Sequence, residues 1–381
     1  MDEFPSFPCD FYMNDIQRGV EMKYLSVLIK PISSSCNMEC RYCFYYDIAN
    51  NRSIKNYGKM SYETMYTLVE KMLSIGETAT ITFAFQGGEP TLAGISFFEE
   101  FIVLVKKKRK KQTIFYTIQS NGLLIDEQWI TLFKENQFLV GISLDGYKSI
   151  HNYFRKTKRY EETYKKVKES IFLLQENEIE FNILSVLTNQ LAKDPKKLFS
   201  FYVRNKLTHI QLIPCIPALG KEEDSFSLKP KQFARFYQKL FDLWIVEYNK
   251  GNYISISLFD NILSLFYGQK VSQCGILGSC TIQFIVESNG YVYPCDFYVL
   301  DAYCCGNIHT HSFEEIAKSQ VAKQFLIEDK RICDACMMCK FISICNKNCK
   351  RMNFSYYTKD YCGYKELLYY MEANLYKLRM K

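Results

Sequence analysis

Between residues 24 and 257 the apolar positions follow two periods in turn. Six short runs, YLSVLIK (24–30), TITFAF (80–85), TIFYTI (113–118), FLVGISL (138–144), FNILSVL (181–187) and HIQLIP (209–214), read as strands. Between them lie amphipathic stretches. The clearest starts after Ser61, a helix-capping residue, and sets Met65, Leu68, Val69, Met72 and Leu73 on one face before Gly76 ends it. Strands alternating with helices predict parallel pairing with helical cover, six βα units in all. The expected fold class is α/β, a partial (β/α)6 TIM-like barrel, although the same alternation also fits an open doubly wound sheet.

The polar and conformationally special residues fall just after these strands: SSSCNMECRYC, QGGEP, QSNG, SLDG followed by HNYFR, and PCIP. In a parallel barrel those strand ends share one rim, where active sites are built. Past residue 257 the helices shorten and cysteines crowd in, eleven of the sixteen lying beyond Trp244. Inorganic ligands rather than a large core are expected to hold that region. The chain therefore divides into an N-terminal extension (1–20), a barrel (21–257) and a smaller cysteine-rich domain (258–381).

Composition narrows the class. A 48% hydrophobic and 23% charged chain is an ordinary globular protein. Its acidic start, MDEFPSFPCD, has no apolar signal core, and no uncharged run reaches membrane length. A cytoplasmic protein is expected. The net charge of +7 owes much to KKKRKK at 106–111, which follows the helical pattern FFEEFIVLV. Cations suit a helix C-terminus, so a solvated helix end is expected there and not a nucleic-acid patch. In a reducing compartment sixteen cysteines point to metal or cluster ligation.

Cys36, Cys40 and Cys43 form C-x3-C-x2-C after the first strand. Structural zinc usually takes four ligands, and no fourth is adjacent. Three thiolates on a four-iron cubane would leave one iron open to a small molecule. With Tyr42 before the last cysteine and GGEP after the next strand, the motif resembles the radical S-adenosylmethionine superfamily. That resemblance implies an open iron chelating the amino and carboxylate groups of S-adenosylmethionine, whose cleavage releases a 5'-deoxyadenosyl radical. It also implies roles: Gly87, Gly88 and Glu89 toward the methionine amino group, Ser143 and Arg155 toward its carboxylate, Tyr42 and Ile216 toward the adenine. Taken singly, Ser143 could equally cap a helix, Ile216 belong to the core and Arg155 be a solvated charge.

The later cysteines, C-x5-C-x14-C at 274, 280 and 295 and C-x2-C-x5-C-x3-C at 336, 339, 345 and 349, with Cys362 last, resemble the SPASM extension of radical peptide-modifying enzymes. By that resemblance Cys274, Cys280, Cys295 and Cys349 bind a nearer auxiliary 4Fe-4S cluster and Cys336, Cys339, Cys345 and Cys362 an outer one, making three clusters with the first. Ligand chemistry alone would also allow structural zinc. Relatives usually carry Gly-Gly before the cysteine matching Cys349; this chain reads NKNC, and asparagine's tolerance of left-handed angles should preserve the turn. Cys333 forms a further C-x2-C with Cys336 and is a competing ligand. Cys9, Cys215, Cys304 and Cys305 are expected to be inert thiols.

From residue 23 onward, LIKPISSSCNMECRYCFYYD, FAFQGGEPTLAG, FLVGISLDG, FNIL, SLKP and VYPCDFYVLD resemble the anaerobic sulfatase-maturating enzymes, which oxidise a Cys or Ser in a C/S-x-P/A-x-R motif to Cα-formylglycine. The pentapeptide PCDFY occurs twice. Only the second copy joins a ligand pattern, so Asp296 is expected to be the catalytic base and Asp10 to have no role. Tyr45 and Gln86 are implied to line the peptide pocket. The implied partners are a sulfatase polypeptide and a low-potential electron donor, flavodoxin or ferredoxin; a monomer is expected, and neither nucleic acid nor membrane. Two alternatives stand beside this: another SPASM enzyme forming thioether or carbon–carbon crosslinks, and a non-enzymatic metal-stabilised binding protein.

Overall fold

The computed structural model describes residues 24–379. The N-terminal extension, Cys9 and the first PCDFY copy lie outside the described residues.

The six expected strands are present as β1 (Tyr24–Ile29), β2 (Thr80–Phe85), β3 (Thr113–Ser120), β4 (Leu139–Ser143), β5 (Phe181–Leu187) and β6 (His209–Pro214), each parallel to its neighbour. A short β7 (Ser255–Ile256) adds to β6. The helices between are α1 (Phe44–Asn50), α2 (Tyr62–Leu73), α3 (Ile95–Lys108), α4 (Glu127–Glu135), α5 (Lys148–Phe154), α6 (Tyr164–Glu176), α7 (Pro195–Arg204) and α8 (Pro230–Asn249). In-order parallel strands with helical cover make the sheet a partial TIM-type barrel.

Alternation along each strand builds two surfaces. Val27, Ile81, Phe83, Phe85, Ile118, Val140, Ile142, Ile183 and Ile210 are buried beneath the helices. Aromatic rings fill much of that layer: Phe83 meets Phe101 edge-on at 5.0 Å, Phe85 meets Phe98 at 4.9 Å, and Phe98 meets Trp129 at 5.1 Å. Each such fully buried side chain contributes about 1.5–3 kcal/mol. The opposite face, with Leu28, Ala84, Gln119, Gly141, Asn182 and Gln211, lines the lumen. Helix α2 starts as expected, Ser61 Oγ accepting from Thr64 N at 3.1 Å, but is capped at Ser74, before Gly76. The lysines 106–108 form the last turn of α3, where Lys108 pairs with Glu70.

The cysteine-rich region is not a detached lobe. It contains α9 (Ser257–Phe266), β8 (Ile285–Val286), β9 (Tyr291–Tyr293), β10 (Gly306–Asn307), α10 (Phe313–Lys318), α11 (Gln320–Ile327), α12 (Ile342–Cys345) and α13 (Gly363–Asn374). Strand β8 joins β1 in parallel and β9 and β10 follow antiparallel, so one sheet runs β10-β9-β8-β1 through β7. Helix α13 packs on α8 so closely that a Cβ at Gly363 would meet Pro230 O at 2.2 Å. No helix among the described residues is long and apolar enough to cross a membrane.

Candidate active site

The C-terminal strand ends converge on a cavity of about 140 Å³ lined by Cys36, Cys40, Cys43, Tyr42, Gly87, Gly88, Ser143, Arg155 and Ile216, among others. The three thiols sit on the loop from β1 to α1. Met38 N donates to Cys36 Sγ at 3.4 Å and Asn121 Nδ2 approaches it at 3.8 Å, donors suited to a thiolate. Burial pushes all three thiols up, Cys36 to about 11, and their mutual repulsion adds to this. Thiols crowded in this way ionise on metal binding, which is the chemistry a cluster supplies. Among the described residues no three His, Cys, Asp or Glu side chains converge on a single-ion site; a cubane spreads its thiolates over separate corners and asks for a wider cradle.

The QGGEP loop presses on the cysteine loop. Gly88 N donates to Ser33 O at 3.1 Å, and a Cβ on Gly88 would meet Ser35 O at 2.0 Å, so only glycine fits. Glu89 lines the same cavity. Its fully buried carboxylate accepts from Thr91 N and Oγ1, Ser120 Oγ and Asn121 N, all at 2.7–3.1 Å. These bonds anchor the loop, three of them on Oε1 and one on Oε2.

Across the cavity, Tyr42 Oη donates to Asp145 Oδ2, which also accepts from Arg155 Nε at 3.0 Å. Arg155 is thus buried in an ion pair, not solvated. His151 Nδ1 accepts from Asp145 N at 3.3 Å, and burial pushes this histidine down to about 3. Ser143 ends β4 and accepts from Gln119 Nε2 at 3.2 Å; the cap of α5 is Tyr147. Cys215, which the sequence left without a role, lines the same cavity.

Strand alternation also explains the second half of the site. Leu28 and Ala84 face the lumen, so two residues on, Lys30 and Gln86 point inward at the rim. Both meet Asp296, which sits on a short turn after Cys295. Tyr45 Oη donates to Asp296 Oδ2 at 2.5 Å and Gln86 Nε2 approaches the same oxygen at 3.3 Å. Lys30 Nζ lies 3.0 Å from Oδ1 and 4.4 Å from the Tyr45 ring centre. The Lys30 approach is off the hydrogen-bonding direction, so buried Oδ1 accepts no hydrogen bond from the described residues. The sequence assigns no role to Lys30 or Asp145; Asp145 lies in the rim stretch SLDG, while Lys30 gave no signal beyond a lone polar residue at an inward position at the end of an apolar strand.

None of the described cysteines forms a disulfide. Burial pushes the Cys280 and Cys295 thiols up, and the charge of Cys349 raises both further while that of Cys280 adds to Cys295, which places the three together. Cys274 approaches through its neighbour, since a Cβ on Gly275 would come within 2.6 Å of Cys349 Cβ. The NKN turn survives, with Asn346, Lys347 and Asn348 at φ 36, 62 and 55° and Asn348 N bonded to Cys345 O at 2.6 Å. Cys336, Cys339, Cys345 and Cys362 are buried in the outer region, and Cys333 with them. Cys304 and Cys305 take backbone acceptors, Gly306 O and Tyr303 O.

Comparison with known proteins agrees with this geometry. Residues 31–201 match the family described as the radical SAM superfamily, and residues 278–340 match an iron-sulfur cluster-binding domain, SPASM. The cysteine-type anaerobic sulfatase-maturating enzyme of Clostridium novyi (strain NT) is 41% identical over 94% of this chain and 97% of its own. A solved structure described as native anSMEcpe with bound AdoMet superposes with a TM-score of 0.86 at 39% identity, covering 92% of this chain and 98% of that one. Another, native anSMEcpe with AdoMet and the Kp18Cys peptide, gives 0.85 at 39% identity over 93% and 98%. The chain belongs to the anaerobic sulfatase-maturating enzymes, radical SAM proteins that carry a SPASM domain.

Proposed function

We propose that this chain oxidises a cysteine in a sulfatase polypeptide to Cα-formylglycine, with Asp296 as the base. The observation that carries this is the buried Asp296 Oδ1, which accepts no hydrogen bond from the described residues, on a residue bonded to Tyr45 and Gln86 at the cavity wall. Cys36, Cys40 and Cys43 would hold the first cluster and Gly87, Gly88, Glu89, Ser143, Arg155, Tyr42 and Ile216 the S-adenosylmethionine. Cys274, Cys280, Cys295 and Cys349 would hold a second cluster, and the outer thiols a third. When bound, these groups supply the one-electron chemistry: hydrogen-atom removal from the target Cβ and acceptance of the remaining electron.

The side chains do the rest. Asp296 Oδ1 takes the thiol proton, which requires hydrogen-bond reach. Lys30 balances the buried carboxylate's charge and fixes its orientation. Tyr45 and Gln86, which line the cavity, hold Oδ2 and so fix the carboxylate beside it. Water then hydrolyses the resulting thioaldehyde. The peptide's seat is supported by a second cavity of about 380 Å³, which shares Gln86 and Gln119 with the first. Gln86, Gln119, Asn182, Gln211 and Gln283 line it, and none of its lining residues is charged. Amides pair well with peptide backbone, as both donate and accept.

A low-potential flavodoxin or ferredoxin would supply the initiating electron, and we take the enzyme to work as a monomer in the cytoplasm, where its thiols stay reduced. The test is anaerobic reconstitution followed by incubation with matched Cys and Ser peptides and hydrazine trapping of the aldehyde. Asp296→Asn should lower formylglycine output about 10²–10⁴-fold while 5'-deoxyadenosine still forms. Full turnover by that variant refutes the assignment, and loss of two hydrogens without an aldehyde would indicate crosslinking instead.

A further inference from the structure

Four thiols suffice for a cubane, yet the outer region gathers five. Cys333, Cys336, Cys339, Cys345 and Cys362 are 3%, 7%, 8%, 7% and 8% exposed, so Cys333 is the most enclosed of the set. Its place is fixed from two sides. Cys336 N donates to Cys333 O at 3.0 Å, which folds the two cysteines into one tight turn. The following residue reaches across, Asp334 N donating to Lys359 O at 2.7 Å, while Tyr357 Oη donates to Arg331 O at 3.1 Å and Tyr357 bridges Cys362. These bonds clamp residues 331–336 against 357–362 and bring Cys333 beside both Cys336 and Cys362.

We infer that Cys333 is an interchangeable ligand of the outer cluster, able to take the seat of Cys336. This rests on the reading of Cys339, Cys345 and Cys362 as ligands of that cluster. With Cys333 in place of Cys336, the pair Cys333 and Cys339 stands at C-x5-C, the spacing of Cys274 and Cys280. The exchange balances. One iron–sulfur bond forms and one breaks, the arriving thiol gives up its proton, and the departing thiolate takes one, so cluster charge and electron count are unchanged. Backbone movement is small because both residues share one turn. Two of the other three ligands have defined thiolate donors, Lys365 N to Cys362 Sγ and Asn348 Nδ2 to Cys345 Sγ, each at 3.3 Å, which hold them in place while the seat is exchanged.

The experiment compares iron and sulfide per chain after anaerobic reconstitution of the full-length protein. Three filled clusters give about twelve irons. Cys339→Ala, which has no understudy, should lose about four; if it loses none, the ligand reading itself fails. Cys336→Ala should keep the full content and the double variant C333A/C336A should lose about four. A loss of four irons from C336A alone overturns the inference. Should C336A yield no soluble protein, C333A decides by electron paramagnetic resonance of the reduced clusters: two ligand sets make the outer signal heterogeneous, so removing one narrows it. An unchanged spectrum refutes exchange.

Discussion

Lys30 and Asp296 come from opposite ends of the described chain and meet because β1 and the turn after β9 end at the same rim. With Asp296 as the proposed base, an ammonium that orients it should matter to one half of the reaction and not the other. Lys30→Met is expected to lower formylglycine formation about 10²-fold, the scale of a small misplacement at a reacting centre. 5'-Deoxyadenosine should continue to appear, so the ratio of the two products, read by mass spectrometry, separates orientation from general damage. His151 answers to pH. Burial pushes it down to about 3 from an ordinary 6.5, so between those values the unfolded chain binds a proton that the folded chain refuses. Its contribution to stability is complete above pH 6.5 and falls with added acid, at up to about 1.4 kcal/mol per pH unit. Denaturant melts between pH 7 and 5 should show a steeper decline for the wild type than for His151→Gln.

At the scale of elements, the sequence disclosed what is long and periodic. Thr80–Phe85, Phe181–Leu187 and His209–Pro214 have the bounds that their patterns indicate, and α2 buries the five side chains its spacing places on one face. Strands β7, β8 and β10 span two residues each and β9 three, too few for alternation to register, so their pairing with the barrel could not be read in advance. The site follows the same division. Motif residues such as Cys36 and Gly88 announce themselves by spacing, whereas Lys30 and Asp145 are single polar residues whose meaning comes from what faces them. Glu89 joins the two cases, since a motif carboxylate that lines the cavity also holds its own loop. Gly88→Ala would drive a Cβ into the Ser35 carbonyl. Isothermal titration of the reconstituted variant should show S-adenosylmethionine binding weakened more than tenfold, roughly the effect of 1.4 kcal/mol, while iron content stays near wild type.

For the whole molecule, stability has two sources. The aromatic layer under α2, α3 and α4 is a conventional core, while residues 274–362 have short helices and, on the proposed ligation, would lean on the clusters their thiols hold. Chelating the iron should therefore uncouple them. Hydrogen exchange of the stripped protein is expected to rise across 274–362 and remain slow in β2 to β5; uniform acceleration would contradict this division. The single sheet adds a temporal constraint. β1 emerges from the ribosome early, yet the neighbour on its far side, β8, lies at Ile285–Val286, so a nascent chain that has completed the barrel still presents β1 as a bare margin. Such margins recruit other chains, and the thiol-rich tail therefore serves as the seam that closes the newborn protein against its neighbours.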